Sequence, residues 1–155
     1  MFDLQCGYKV DVMSKQPVGG KVEVSVGFAA DAGGSGLAYA AMHAGERKAL
    51  LRVPFQVRRS ASGQGREVGY GALRAVAAAV RERHAEAVTF VVADESLTVD
   101  LDERRVLPTS LTIPYVALRC ALNRFVSAAV RCERSAEVGD LAARALAEVS
   151  LNVAA

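Results

Sequence analysis

The sequence predicts an α/β fold built on a mixed five-stranded sheet, with an antiparallel three-strand meander plus two parallel strands, flanked by helices. Three observations carry that expectation. Apolar residues alternate with polar ones through the first third of the chain, giving strands joined by short turns. Apolar residues then recur at helical spacing in separate stretches. Short apolar runs lie between those stretches, and strands entered through helices pair in parallel by right-handed crossovers.

The first 20 residues read as an N-terminal extension. Tyr8, Val10 and Val12 alternate with Lys9, Asp11 and Met13, which suits a short additional strand. Pro17-Val18-Gly19-Gly20 breaks the chain. From Lys21 the alternation is clean, with Val22, Val24, Val26 and Phe28 on one face. Asp31 and Gly33-Gly34-Ser35-Gly36 end that strand. Leu37 to Ala44 and Ala49 to Val57 read as two further strands around a turn at Ala44-Gly45-Glu46-Arg47. Pro54 places the second of them at an edge, because proline cannot donate to the ladder. Arg58 to Gly65 is a polar loop.

Leu73, Val76, Ala77 and Val80 then predict a helix over about 67–84, with Arg74, Arg81 and Arg83 facing away. Val88 to Ala93 reads as a strand buried on both faces. Leu97 to Val106 alternates but is charged, and its state stays open. Thr112 before Ile113-Pro114 predicts an N-cap with proline in the first turn. Tyr115, Leu118, Leu122 and Phe125 form that helix's apolar stripe. Val126 to Val130 is a short strand. Val138, Leu141, Ala142, Ala145, Leu146 and Val149 form an amphipathic last helix. The core domain is therefore expected over 21–150, with 151–155 as a tail.

Composition narrows the function. A chain of 155 residues fits one domain and buries roughly two-thirds of its unfolded surface. With 52% hydrophobic and 23% charged residues, extended disorder, collagen and coiled coil are poor readings. Nineteen basic residues against 17 acidic ones give a net charge of +2, so bulk charge identifies no partner. Cys6, Cys120 and Cys132 form neither a disulfide framework nor a zinc pattern. Met1-Phe2-Asp3 does not begin a secretory signal, and Ala72 to Val80 falls far short of the roughly 20 apolar residues that span a bilayer. The expectation is a cytoplasmic protein with no membrane contact. His43 and His84 lack a ligand partner nearby in sequence. The glycine-rich turn lacks the Gly-Lys-Ser/Thr ending of a P-loop.

Four segments carry a resemblance. Phe28 to Ala38 reads FAADAGGSGLA, with Asp31 at a strand end before a glycine-rich turn. Gln64 to Leu73 reads QGREVGYGAL. Asp94-Glu95-Ser96-Leu97-Thr98-Val99 follows the buried strand, and Ala129 to Ala142 reads AVRCERSAEVGDLA. In this order the chain resembles the ribonuclease H-like family. In that family four carboxylates converge on two divalent metal ions and hydrolyse the RNA strand of an RNA–DNA hybrid. Magnesium prefers such hard oxygen ligands, and two metals stabilise the attacking and leaving oxygens together.

The resemblance implies catalytic and metal-binding roles for Asp31, for Asp94 or Glu95, and for Asp140. It also implies magnesium or manganese as cofactor if the protein is active. Aligning Ser96 and Val99 favours Glu95, whereas strand length favours Asp94. In the helix motif Tyr70, Ala72 and Leu73 match, but Gly69 stands at the carboxylate position. Gly65 and Arg66 replace the asparagines that contact nucleic acid. Glu67 lies about 200° around the helix from Gly69 and substitutes only if the helix start is displaced. In the last motif Gly139 replaces the usual Ala and Ala136 falls at the Asn. Asp140 also suits the first turn of a helix, where the dipole favours an acid.

Arg58, Arg59 and Arg66 are candidates for phosphate-backbone contact, and Arg131 or Arg134 for the family's basic residue. The chain is therefore expected to be a degenerate member, catalytically impaired, acting as a nucleic-acid-binding or protein-interaction module. The alternative is an active magnesium- or manganese-dependent endonuclease, a two-metal phosphodiesterase acting on RNA–DNA hybrids. Pairing with another protein or with itself through a sheet edge is a third expectation.

Overall fold

The computed structural model describes residues 21–103 and 106–154; the strand expected near Tyr8 to Met13 lies outside them. Strands β1 (Lys21–Ala30), β2 (Ser35–Ala44) and β3 (Arg47–Gln56) form the meander. Helix α1 (Arg66–Arg81) leads to β4 (Ala87–Val92) and α2 (Glu95–Glu103). Helix α3 (Thr109–Leu122), β5 (Ser127–Cys132) and α4 (Ala136–Ala154) complete the chain. The strand order is β3-β2-β1-β4-β5. β1 is antiparallel to β2 and parallel to β4, with Val24 opposite Phe90. β4 is parallel to β5, with Phe90 opposite Val130. This is the mixed five-stranded sheet expected from the order of elements.

Period-2 alternation divides the sheet residues between two faces. Val22, Val24, Val26, Ala38, Ala40 and Met42 pack with Tyr70, Leu73 and Val76 of α1, Leu97 of α2, and Leu111 and Leu118 of α3. Leu37, Tyr39 and Ala41 face the other way, against Leu141, Ala145 and Val149 of α4. Three helices therefore cover one face and α4 covers the other. The backbone of α4 lies directly on β1 at Gly27, where a Cβ would overlap the backbone N of Ala142 and the carbonyl carbon of Leu141. Pro54 lies on β3, an edge strand, as its missing N–H requires.

One segment left open is resolved, and several local expectations are corrected. The open segment after β4 is helix α2, whose buried Leu97 and Leu101 are one turn apart. The helix expected to start at Thr112 begins at Thr109 with Pro108 at its N-cap, so Pro114 lies inside it. Only the bond to the Ser110 carbonyl is lost there, close to the end where several N–H groups lack partners anyway. Arg83 is buried rather than facing away, and Leu146 is exposed rather than part of the α4 stripe. Residues 151–154 continue α4. No helix among the described residues is long and apolar enough to cross a membrane.

Candidate functional site

Helix α1 and the segment after β4 meet at Gly69. A Cβ built on Gly69 would lie 3.0 Å from Asp94 Oδ2 and 3.5 Å from Phe28 Cζ. The residue on α1 that faces Asp94 therefore has no side chain to pair with it. Asp94 is the residue before α2, and its Oδ1 accepts from Ser96 Oγ at 2.6 Å and from Leu97 N at 3.4 Å. That is the geometry of a helix N-cap. Glu95, the other candidate at this position, is the first residue of α2 and is exposed.

Glu67 faces away from Asp94, as helical geometry requires of a residue two positions from Gly69. It is buried, with Gly63 passing so close that a Cβ there would overlap Glu67 Oε1. Its Oε2 accepts from Arg59 Nε at 3.0 Å and from Ser60 N at 3.3 Å. Burial alone would raise its pKa, but the backbone N–H groups of Glu67 and Ser60 and the Arg59 guanidinium hold it below the ordinary value. Arg59 also donates to the Asp31 carbonyl at 2.8 Å, tying the β1–β2 turn to the start of α1. Glu67 is thus an anchor for the loop before the helix.

A second buried acid organises the other side of α1. Asp100 of α2 accepts from the Tyr70 hydroxyl at 2.7 Å and pairs with Arg66. The paired carboxylate raises the Arg66 pKa, while burial, followed by Asp100, raises that of the Tyr70 hydroxyl. Neither pair was found by sequence reasoning. Arg66 and Asp100 are 34 positions apart, and only the packing of α1 on α2 brings them together. Nothing in the sequence marked Asp100, which sits in a stretch of mixed pattern and is buried only in the folded chain.

The other candidates are dispersed. Asp31 lies in the β1–β2 turn, where its Oδ1 accepts from Ser35 N at 3.0 Å. Asp140 is exposed on α4, on the far side of the sheet from α1, beside Lys48, Glu137 and Arg144. Arg131 is paired with Glu23 and Glu133. Arg58 and Arg134 are exposed. Among the described residues no three His, Cys, Asp or Glu side chains are grouped to hold a metal ion. Gly69 offers no donor, one oxygen each of Asp94 and Asp31 is engaged in local backbone structure, and Asp140 is across the sheet. This donor set does not fit the magnesium or manganese centre implied by the resemblance.

The sheet order, the crossovers and the helix placement together define a ribonuclease H-like α/β fold. Solved structures of that class superpose on the chain. Ribonuclease H1 of the halophilic archaeon Halobacterium salinarum matches with a TM-score of 0.65 and 16% identity, over 83% of this chain and 99% of that one. The N-terminal ribonuclease H domain of a Mycobacterium tuberculosis protein, solved as a fusion with maltose-binding protein, matches with a TM-score of 0.63 and 13% identity, over 86% and 98%. The LC11 ribonuclease H1, solved in complex with an RNA/DNA hybrid, matches with a TM-score of 0.53 and 8% identity, over 82% and 97%. At these identities the likeness establishes the fold. No family model matches the sequence, and no curated protein matches it.

Proposed function

We propose that this chain is a ribonuclease H-fold nucleic-acid-binding module that has lost the two-metal centre. The observation that carries the reading is the glycine facing Asp94, which leaves no side-chain ligand where α1 approaches the end of β4. Phosphate contact falls to Arg58 and Arg59 in the loop before α1 and to Arg66 in its first turn. Glu67 and Asp100 neutralise part of the charge of Arg59 and Arg66 but also fix their position, and each guanidinium keeps N–H groups beyond those its partner uses. A solved neighbour bound to an RNA/DNA hybrid supports this class of ligand.

The test is incubation of a labelled RNA–DNA hybrid with magnesium or manganese, alongside binding measured by fluorescence anisotropy. The expected result is salt-dependent binding without cleavage, weakened by Arg58→Glu. Robust cleavage abolished by Asp31→Asn would instead establish the active endonuclease. Absence of binding to hybrid, duplex and single strands would leave a protein-interaction module.

A further inference from the structure

Helices α1 and α3 face each other through small side chains. Ala75 and Ala78 on α1 oppose Ala117 and Ala121 on α3, leaving a trough of about 610 Å³ with Phe55 at one wall. Three arginines line it, Arg74, Arg81 and Arg124, against a single acid, Glu82. Arg81 Nε donates to the Arg124 carbonyl at 3.2 Å, which fixes it on the rim. Among the described residues no ion pair engages Arg74 or Arg124.

The outer face of α3 continues this surface. Ile113 is 79% exposed and Val116 53% exposed, and Cys120 lies one turn further on. These positions form an apolar stripe on the side of α3 that its own core does not use. The helix is ~21 Å long at 1.5 Å per residue, so the surface is elongated rather than a closed pocket. Its apolar floor and cationic rim are complementary to one chemistry: an apolar stripe flanked by carboxylates.

We propose that the α1–α3 trough docks an acidic amphipathic helix of a partner protein. The apolar side of that helix lies on Ala78, Ala117 and Val116, and its carboxylates meet Arg74, Arg81 and Arg124. A nucleic-acid strand fits this surface less well. Phe55, the ring at its wall, is half-buried and offers only part of a face to stack a base, and the facing alanines of the two helices offer methyl groups rather than hydrogen-bonding groups. The inference goes beyond the nucleic-acid reading and uses arginines that reading leaves aside.

The test uses a fluorescein-labelled synthetic helix with leucines on one face and glutamates beside them. Controls are the same peptide with lysines for glutamates and a scrambled acidic peptide. The full chain is expected to bind the acidic helix and neither control. Arg74→Glu with Arg81→Glu is expected to weaken binding roughly tenfold or more, as loss of complementary rim charge does. In a variant carrying Cys6→Ser and Cys132→Ser, the peptide is expected to slow maleimide labelling of Cys120. All these positions but Cys6 are described, and Arg74, Arg81 and Cys120 are exposed; circular dichroism verifies that each variant is folded.

Equal binding of acidic and lysine peptides, or unchanged labelling of Cys120, would overturn the proposal. So would displacement of the peptide by an RNA–DNA hybrid whose affinity falls with the same two arginine changes. A dimer by light scattering that Ala117→Arg dissociates would assign the face to a second copy of the chain instead. Failure of hybrid binding with peptide binding intact leaves the docking inference standing and removes only the nucleic-acid reading.

Discussion

Asp94 Oδ2 stands 3.0 Å from the point where Gly69 would carry a Cβ. Helix α1 thus approaches the N-cap of α2 across a gap that any side chain at position 69 would enter. Two glycines on the same helix therefore behave differently. Gly69→Ala gains up to about 1 kcal/mol in helix propensity, and the atom it meets is the free oxygen of a side chain that can move. Gly71→Ala gains the same propensity but drives its Cβ into Val57 Cγ1, an overpacking that costs about 1–3 kcal/mol. Urea unfolding is expected to show Gly69→Ala neutral or stabilised and Gly71→Ala destabilised. Equal shifts for the two would refute the contact geometry.

Asp94 is expected to matter to stability through its cap. Asp94→Ala should lower unfolding free energy by about 1 kcal/mol, whereas Asp94→Asn should keep most of it, because asparagine caps comparably. A metal-ligand role predicts the reverse grouping, with both substitutions equally damaging to metal-induced stabilisation. Thermal melts with and without manganese separate the two.

The buried Asp100 makes α1 and α2 depend on one another. Removing a partner of a buried charge costs about 3–5 kcal/mol, so Arg66→Met is expected to be severe. Tyr70→Phe removes one hydrogen bond to a charged acceptor, worth about 1.5–3 kcal/mol. The same scale makes Arg131→Met nearly silent, since its pairs with Glu23 and Glu133 are solvent-exposed and exposed pairs contribute ~0–1 kcal/mol. Chemical denaturation of the three variants should rank them in that order.

Stability should fall at both ends of the pH scale. The Glu67, Glu137 and Glu148 carboxyls are held below their ordinary value of 4.5. Burial opposes this at Glu67 and Glu137, but their hydrogen bonds outweigh it. At Glu148 the Arg52 and Tyr39 side chains dominate. Depressed folded values mean stability that is present above pH 4.5 and lost as the pH falls further. The Tyr70 hydroxyl is pushed above its ordinary 10.0, first by burial and then by Asp100. That contribution is present below pH 10.0 and is lost as the pH rises above it. The Tyr39 hydroxyl is raised as well, by burial and then by Glu148, so melting temperatures across the range should show a plateau with both limbs, and Tyr70→Phe should make the alkaline limb shallower while leaving the acid limb unchanged.

Much of the fold was legible in the sequence because it rests on local periodicity. Val22, Val24, Val26 and Phe28 announced β1, Pro54 announced an edge, and Leu73, Val76 and Val80 announced α1. Helix α2 was not legible. Its two core leucines are interrupted by Thr98 and Asp100, polar residues buried only because partners arrive from elsewhere in the chain. At the site, comparison with the helix motif singled out Gly69 but left Asp94 and Glu95 as alternatives, and only the packing of α1 shows that Gly69 faces Asp94. The placement of Asp140 was not, because it depends on how α4 is turned over β1 and β2. The Arg59–Glu67 anchor was equally hidden, since an acid in the first turn of a helix looks solvated until the preceding loop folds over it.

Gly27 makes the position of the last helix a matter of backbone register. The strand residues on either side of it on the same face are Ser25 and Ala29, both with the Cβ that Gly27 lacks. Sliding α4 along β1 would press one of them into the helix backbone at the point of closest approach. Building a metal centre into this scaffold is therefore a problem of main-chain design. A carboxylate at position 69 is a single substitution, but bringing one from α4 to the end of β4 means relocating the notch in β1 that receives the helix.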